Sequence, residues 1–277
     1  MEGAASEAGL ALLRQLLLFG ALLLPLEVLW PARAQRRVRL GLGTDLLYSA
    51  LSTAVLGTLG IALLAGMSLA CRAILPDALP QALASMPLVT QLGLIVLLAE
   101  LGGYWTHRLS HTVPALWRFH AVHHSPRELD WLSAHRQHPV EVLWLVGVAH
   151  LPVALFGFDT SAIGLFILSQ KLHTAFVHAN VRLPTGRWEA WIAGPRFHRW
   201  HHARSGGAQN LASLFPWMDR LFGTWRLPEG EPAMLGVEAR MPLGLVGQLL
   251  WPLGAHATRA TAWPSPTAAT DDRTTSI

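Results

Sequence analysis

Histidine is the residue type whose number and spacing indicate chemistry in this chain. Thirteen of the fourteen histidines fall between residues 107 and 202. Most of them form short repeats, which are His107 and His111; His120, His123 and His124; His135 and His138; His173 and His178; and His198, His201 and His202. Residues three and four apart share one face of a helix, so each HxxHH repeat is predicted to aim three imidazoles at one point.

These repeats predict a metal centre built from imidazole. Neutral imidazole binds iron, copper, nickel and zinc, and about ten ring nitrogens are too many for one ion but suit two. The single cysteine, Cys71, lies in an apolar run, so neither an internal disulfide nor a cysteine-based metal site can form. Any bound metal is therefore held by nitrogen or oxygen.

The composition is typical of a membrane protein. Apolar residues make up 52% of the chain and charged residues only 14%, well below the ~25% of soluble proteins. The net charge of +4 comes without a basic stripe interleaved with aromatic residues, which argues against a nucleic-acid partner. The basic residues are instead expected to anchor membrane helices on their cytoplasmic side.

Apolar segments of the length that a membrane requires must position the histidines. A helix of ~20 residues crosses the hydrocarbon core. The candidates are Leu10–Trp30, Leu46–Ala70, Leu88–Trp105, Val142–Phe158 and Ile163–Val177. The last two are short enough to form a re-entrant or a full hairpin. We therefore expect an all-α, polytopic membrane helical bundle of about four to five segments.

The first apolar segment has a second interpretation as a cleaved signal peptide. Ala32, Arg33 and Ala34 resemble a cleavage site, but Glu2 and Glu7 stand where a signal peptide has basic residues. A membrane helix is therefore the favoured interpretation.

Arginine sets the expected orientation. The loop after the first segment contains Arg33, Arg36, Arg37 and Arg39, whereas the loop after the second contains only Arg72. The positive-inside rule places the first loop in the cytoplasm. Two further crossings bring His107 to the same face, and a hairpin over 142–177 returns the last histidines there. A cytoplasmic histidine-rich cap follows.

The histidine repeats, with their neighbours, resemble a known family. The motifs are HRLSH, FHAVHHS, HRQHPVE, FVHANVRLP, PRFHRWHH and MDRLFGT. They are similar to those of the fatty acid hydroxylase superfamily, also called the sterol desaturase family, over about residues 95–226. This implies membrane helices over 1–94 and a catalytic domain over 95–226. In the remainder, 227–277, the apolar segment Leu243–Leu253 is too short to span and is expected at the membrane surface, and the tail from Ala262, rich in Thr, Pro, Ala and Asp, is expected to be disordered.

The resemblance implies a monooxygenase with two iron ions and dioxygen as co-substrate. It would hydroxylate or desaturate a C–H bond of a membrane lipid such as a sterol, a fatty acyl lipid or another isoprenoid. The implied ligands are His107, His111, His120, His123, His124, His178, His198, His201 and His202, with His173 a weaker match. His135 and His138 match an element expected to support the ligands rather than bind metal.

Several further residues are candidates for smaller roles. Glu100 lies two turns before His107 on one helix face, and a carboxylate in a membrane segment is a functional candidate; we expect it to hydrogen-bond to a ligand imidazole. Asn180, Asn210 and Asp219 either orient ligands or cap structure. His150 is interpreted as a packed membrane histidine and His256 as a solvated one.

Two other functions are alternatives to the oxygenase. A heme-binding electron carrier of cytochrome b type pairs histidines deep in the bilayer and does not need HxxHH repeats at one face. A metal transporter needs polar residues within several spans, and here they are scarce. The chain has no cytochrome b5-like HPGG element, so a separate donor, a ferredoxin or a cytochrome b5 with its reductase, is expected. The chain itself is expected in a bacterial inner membrane or the endoplasmic reticulum.

Overall fold

The computed structural model describes residues 2–53, 57–74, 76, 78–183 and 186–254. Within them the secondary structure is helical, and the only extended pairings are two isolated bridges, Pro31 with Val181 and Ala203 with Leu235. The predicted all-α class is thus confirmed for this part of the chain. The predicted tail from Ala262 and the predicted solvation of His256 lie outside the described residues.

Twelve α-helices are present in the described residues. They are α1 (Glu2–Leu29), α2 (Leu42–Leu51), α3 (Gly57–Arg72), α4 (Ala78–Ala84), α5 (Leu88–Thr112), α6 (Pro114–His123), α7 (Pro139–Trp144), α8 (Leu151–Phe156), α9 (Thr160–His178), α10 (Pro195–His201), α11 (Trp217–Leu221) and α12 (Leu245–Leu250). A π-helical stretch, Leu145–Ala149, joins α7 to α8.

Within the described part of the chain, two helices are long and apolar enough to cross a membrane. They are Gly9–Leu29 within α1 and Leu88–Thr112, which is α5. The first is barely covered by the rest of the protein, and its exposed leucines are Leu10, Leu13, Leu17, Leu18, Leu22, Leu24 and Leu29. A helix with so much exposed apolar surface is suited to lipid rather than water.

Of the other three predicted spans, two are divided into shorter helices and one is a continuous helix. The second is divided between α2 and α3, and residues 54–56 between them lie outside the described part of the chain. Val142–Phe158 is divided among α7, the π-helical stretch and α8. The fifth segment is the continuous helix α9, 19 residues long. A count of four to five spans therefore stays a prediction.

The π-helical stretch lies directly against α5. A Cβ atom at Gly102 would collide with the carbonyl oxygen of Ala149, so only glycine permits the two backbones to come this close. This contact places the end of α5 that carries the HxxxH pair beside the segment that follows α7.

A buried ion network joins the loop after α1 to the segment between α6 and α7. Arg39 binds both carboxylate oxygens of Asp130 and lies 2.6 Å from Asp45, which also accepts from Arg136 at 2.6 Å. Arg39 is only 4% exposed. Arg39 is one of the four arginines that predict a cytoplasmic loop, and in the structure it fastens that loop to the histidine-rich region.

The predicted orientation can be tested with single cysteines in a Cys71→Ala background. We expect Arg36→Cys and Arg127→Cys, both at exposed positions, to react with a membrane-impermeant maleimide from the cytoplasmic side. Ser85→Cys, exposed between α4 and α5, should react only from the opposite side. Labelling of positions 36 and 127 from different sides would contradict the predicted crossings between them.

Candidate metal centre

Nine histidines form two compact groups. The first group contains His107, His111, His120, His124 and His201, and the second contains His123, His178, His198 and His202. Within each group, one nitrogen of every ring lies within 4.8 Å of the corresponding nitrogens of the others. The groups adjoin, because the rings of His124 and His202 stack with centroids 4.2 Å apart. The structure thus brings together nine of the ten predicted ligands.

Each HxxHH repeat is shared between the two groups rather than aimed at one point. His120 of α6 and His124, the residue after its end, belong to the first group, whereas His123 faces the second. The repeat at α10 is reversed, with His198 and His202 in the second group and His201 in the first. Helix rotation explains this division. Relative to the first histidine of each repeat, the histidine four positions later lies ~40° to one side of the helix, and the histidine three positions later lies ~60° to the other side.

The ring nitrogens are spaced as ligands of common ions. In the first group, Nε2 of His120 lies 3.2, 2.9 and 3.0 Å from Nε2 of His107, His111 and His124. In the second, successive Nε2 distances along His123, His178, His198 and His202 are 3.2, 3.1 and 3.1 Å. Metal–nitrogen bonds of ~2.1 Å place neighbouring ligands ~3.0 Å apart at right angles and ~3.4 Å apart in a tetrahedron. The spacing favours ions with five or six ligands.

Hydrogen bonds at Nδ1 set the tautomer of several rings. The Nδ1–H groups of His107, His178 and His201 donate to the carbonyls of Leu211, Thr174 and Gln209 at 2.7, 2.8 and 2.8 Å. That of His123 donates to the carbonyl of Arg136 at 3.1 Å. Each bond leaves the Nε2 lone pair available to a metal.

The Nε2 atom of His201 provides a direct test of whether the first group suits a metal. It is buried and has no hydrogen-bond partner among the described residues. A buried polar atom without a partner is costly, and a metal ion at the centre of the group would satisfy it. The residues present therefore fit a metal.

Burial keeps the ligand rings neutral. It lowers the pKa of His120 to about 3, and it lowers the pKa of His123, His124, His198, His201 and His202 well below the usual 6.5, with neighbouring imidazoles adding to the effect for these five. Metal ligation requires neutral imidazole. The site is consequently in its ligating form at neutral pH.

Three other predicted histidines lie outside both groups. His173 directs Nε2 to the carbonyl of Ser213 at 3.0 Å, so the structure does not bring this weaker ligand candidate to a metal position. His138 caps α7, where its Nδ1 accepts from Val140. His135 lies 3.4 Å from the amide nitrogen of Gln15, with no bond to a ligand ring.

The predicted acidic and amide partners act through the backbone. Glu100 was expected to contact a ligand imidazole, but its carboxylate accepts from the N–H groups of Leu214 and Phe215 at 2.8 and 3.2 Å. Asp219 accepts from Leu211 and Ala212 at 2.6 and 3.0 Å. Both carboxylates thereby hold the loop whose Leu211 carbonyl orients His107.

The two asparagines also act on the chain around the site. Asn180 exchanges hydrogen bonds with the backbone of Arg33. Asn210 adopts the left-handed conformation, with φ of 53°, and its side-chain amide donates to the carbonyl of Phe197 at 3.2 Å. Both contacts fasten segments next to ligands rather than the ligand rings themselves.

Glu141 is a site residue that sequence reasoning missed. Its carboxylate accepts from Nδ1 of His120 at 2.5 Å, and the side chain is almost fully buried. The signal was present in the motif HRQHPVE, where Glu141 follows His138 by three residues and lies in the first turn of α7. A carboxylate bound to the far nitrogen of a ligating imidazole raises its basicity and fixes its orientation.

A cavity of about 350 Å³ opens onto both groups. His107 and His120 of the first group and His178 of the second line one part of it. Most of its remaining wall is apolar and comes from α3, α5, α9 and the π-helical stretch, including Ile61, Leu64, Ala99, Val146, Phe166 and Ile167. His150, predicted as a packed histidine, lines this cavity too, outside both groups.

Comparison with known proteins identifies the region that carries the histidines. Residues 92–224 match the family model described as fatty acid hydroxylase. An ornithine lipid hydroxylase of Rhizobium tropici is 32% identical over 60% of this chain and 51% of its own length. The human alkylglycerol monooxygenase is 29% identical over 50% of this chain and 31% of its own length.

A third similar protein is the methylsterol monooxygenase 1 of Gallus gallus, 31% identical over 44% of this chain and 41% of its own length. The chain thus matches about half, or less, of the length of these relatives. No solved structure gives a significant match.

Replacement of Glu141 by glutamine should weaken metal binding at the first group. The amide cannot accept and polarise the Nδ1–H of His120 as a carboxylate does, and such losses typically reduce affinity ~10- to 100-fold. Competition between the protein and a chelator for Co²⁺, followed by absorbance, measures this. Glu229→Gln, at an exposed position, is the control. Equal affinity of Glu141→Gln and the unaltered protein would contradict the role of Glu141.

The metal-free protein should lose stability as the pH falls below ~6.5. Six ligand imidazoles have a pKa lowered by burial, whereas the unfolded chain takes up protons near pH 6.5. The unfolded state therefore binds more protons, and each such ring destabilises the fold by up to ~1.4 kcal/mol per pH unit. Thermal unfolding of metal-free protein in detergent, at pH 7.5 and pH 5, measures the effect. An unchanged midpoint would contradict neutral burial.

Proposed function

We propose, from the match of residues 92–224 to the fatty acid hydroxylase family model, that this chain is a membrane-bound, oxygen-dependent monooxygenase acting on a lipid. The observation that carries the proposal is the pair of adjoining imidazole groups beside an apolar cavity. The relatives named as lipid hydroxylases and monooxygenases support the class of reaction.

The two groups would hold two iron ions. The first group offers five rings and the second offers four, and right-angle spacing of their nitrogens suits the coordination number that iron takes with imidazole. Bound there, the iron pair would supply the activation of dioxygen that breaking an unactivated C–H bond requires. We assign ligation to His107, His111, His120, His123, His124, His178, His198, His201 and His202, and not to His173.

The chain's own residues prepare the site in three ways. Backbone carbonyls and Glu141 fix the ring orientations before metal binds, so little reorganisation is needed. Burial excludes water from the ligands, and His111, His124, His201 and His202 have no measurable exposure. The apolar cavity can then receive a lipid chain next to both groups, in a dry environment that protects a reactive oxidant.

Hydrogen abstraction is the step shared by hydroxylation and desaturation, and the geometry favours neither outcome. The family's relatives named here are hydroxylases and monooxygenases, so we propose hydroxylation. The electrons would come from a separate donor, a ferredoxin or a cytochrome b5 with its reductase. The imidazole groups would face the cytoplasm, because Arg39 and Asp130 fasten the positive loop after α1 to the segment whose Arg136 carbonyl orients His123.

The geometry weighs against the heme-binding alternative. Two axial imidazoles place their nitrogens on opposite faces of a porphyrin, ~4 Å apart across the iron. Within the two groups, by contrast, the contacting Nε2 atoms lie 2.9 to 3.2 Å apart. A porphyrin cannot fit between such nitrogens, and a pyridine hemochrome assay should be negative.

The assignment predicts about two iron atoms per chain. The ion of the first group should depend on His201, and the ion of the second group should depend on His123. His201→Ala removes a ligand of the first group and His123→Ala a ligand of the second, so each should retain about one iron and lose activity. Iron analysis of purified protein measures the retained iron. Mass spectrometry of extracted membrane lipids measures activity as the incorporation of ¹⁸O from dioxygen.

His173→Ala is the matched control, because this ring lies outside both groups and should keep both ions and most activity. Full activity of either His123→Ala or His201→Ala would overturn the assignment. A single iron atom per unaltered chain under iron-replete conditions would show that only one group binds metal.

A further inference from the structure

The only lysine of the chain lies in the wall of the cavity. Lys171 is on α9, is half-buried, and lines the same cavity as the ligand rings His120, His123 and His178. Among the residues that the structure describes, none forms a hydrogen bond or an ion pair with its ammonium group. An unpaired cation beside apolar walls is costly to maintain.

The neighbours of Lys171 do not supply a compensating charge. Ser52, His135, Gln137 and Gln170 also line the cavity and are polar but not acidic. Burial, with a smaller contribution from the nearby Lys171 ammonium, lowers the pKa of His135 to about 4, so that ring is neutral. Lys171 is therefore the cation in a patch of neutral hydrogen-bonding groups.

The acidic residues of the cavity are already engaged elsewhere. Glu141 accepts from His120, and Glu100 accepts from the backbone N–H groups of Leu214 and Phe215. Neither carboxylate pairs with Lys171. A counter-charge for the ammonium thus has to come with the molecule that enters the cavity.

We propose that Lys171 binds the anionic group, a carboxylate or a phosphate, of the lipid whose chain occupies this cavity. This inference rests on the proposed function and names its substrate class. The neutral side chains of Gln137 and Gln170 supply further hydrogen bonds to the same group, while apolar residues of the cavity wall contact the hydrocarbon chain.

The position of Lys171 also limits which carbon reacts. Lys171, Thr174 and His178 all line the cavity and follow one face of α9 at helical spacing. Seven residues separate Lys171 from His178, or ~10 Å along the helix. An anionic group held at Lys171 keeps the oxidised C–H bond near the head of the lipid and away from the end of its tail.

Equilibrium binding of three single-chain amphiphiles tests the inference. Hexadecanoate, hexadecyl phosphate and uncharged 1-hexadecanol are titrated calorimetrically into the metal-loaded full chain in uncharged maltoside micelles at pH 7. We expect at least one anion to bind ~10-fold or more tightly than hexadecanol, as for a hydrogen-bonded charge pair. Lys171→Gln should abolish the difference and leave hexadecanol binding unchanged, and Lys171→Arg should retain most of it.

Arg14→Gln is the charge-matched control, because Arg14 is exposed on α1, and it should keep the preference for anions. The tighter of the two anions identifies the carboxylate or the phosphate as the group recognised. Equal binding of all three amphiphiles by the unaltered chain would overturn the inference. The inference would also be overturned if the Lys171→Gln variant kept its preference for anions, or if its affinity for hexadecanol fell as much as its affinity for the anions.

Iron content and ¹⁸O incorporation of the same preparations distinguish this inference from the proposed function. Two irons and an oxygenated lipid without a preference for anions would refute the role of Lys171 alone. A preference for anions in a chain that binds no iron would refute the oxygenase and leave the lipid site.

Discussion

The structure depends on burying nine imidazoles in their neutral form with the ligating nitrogens turned toward each other. Each ring loses its hydration on burial, and this cost is reduced where the nitrogen that does not bind metal finds a hydrogen-bond acceptor. Carbonyls of Thr174, Arg136, Gln209 and Leu211 and the carboxylate of Glu141 supply such an acceptor for five of the rings. The rest of the fold can be understood as the means of holding these acceptors in place.

The acceptors come from loops, so the loops need their own restraints. Asp219 and Glu100 bind backbone N–H groups on either side of the segment that orients His107. The paired charges of Arg39, Asp45, Asp130 and Arg136 hold the segment whose Arg136 carbonyl orients His123. Buried carboxylates at these positions therefore hold the loops whose carbonyls orient the ligand rings, which explains why they do not contact the rings themselves.

The sequence was sufficient to identify the histidines that the structure brings together, but not their partition between the two groups. Periodicity says which residues share a helix face, so α6 and α10 could be read from the HxxHH repeats. It does not say which face meets which neighbour, and that is decided by long-range packing. Glu100 was expected at a ring because it lies on the same face as His107, yet it meets a loop more than a hundred residues later in sequence. Glu141 was missed because its partner is chosen by the packing of α7 against α6, which no local pattern encodes.

The exchange of one histidine between α6 and α10 has a consequence for biosynthesis. The first group cannot be completed before His201 is synthesised, nor the second before His202, although the other members of each group begin at His107 and His123. A nascent chain emerging from the ribosome therefore offers only incomplete sets of rings. Metal binding to the complete sets, as proposed above, has to follow the last long-range contacts and cannot nucleate the fold.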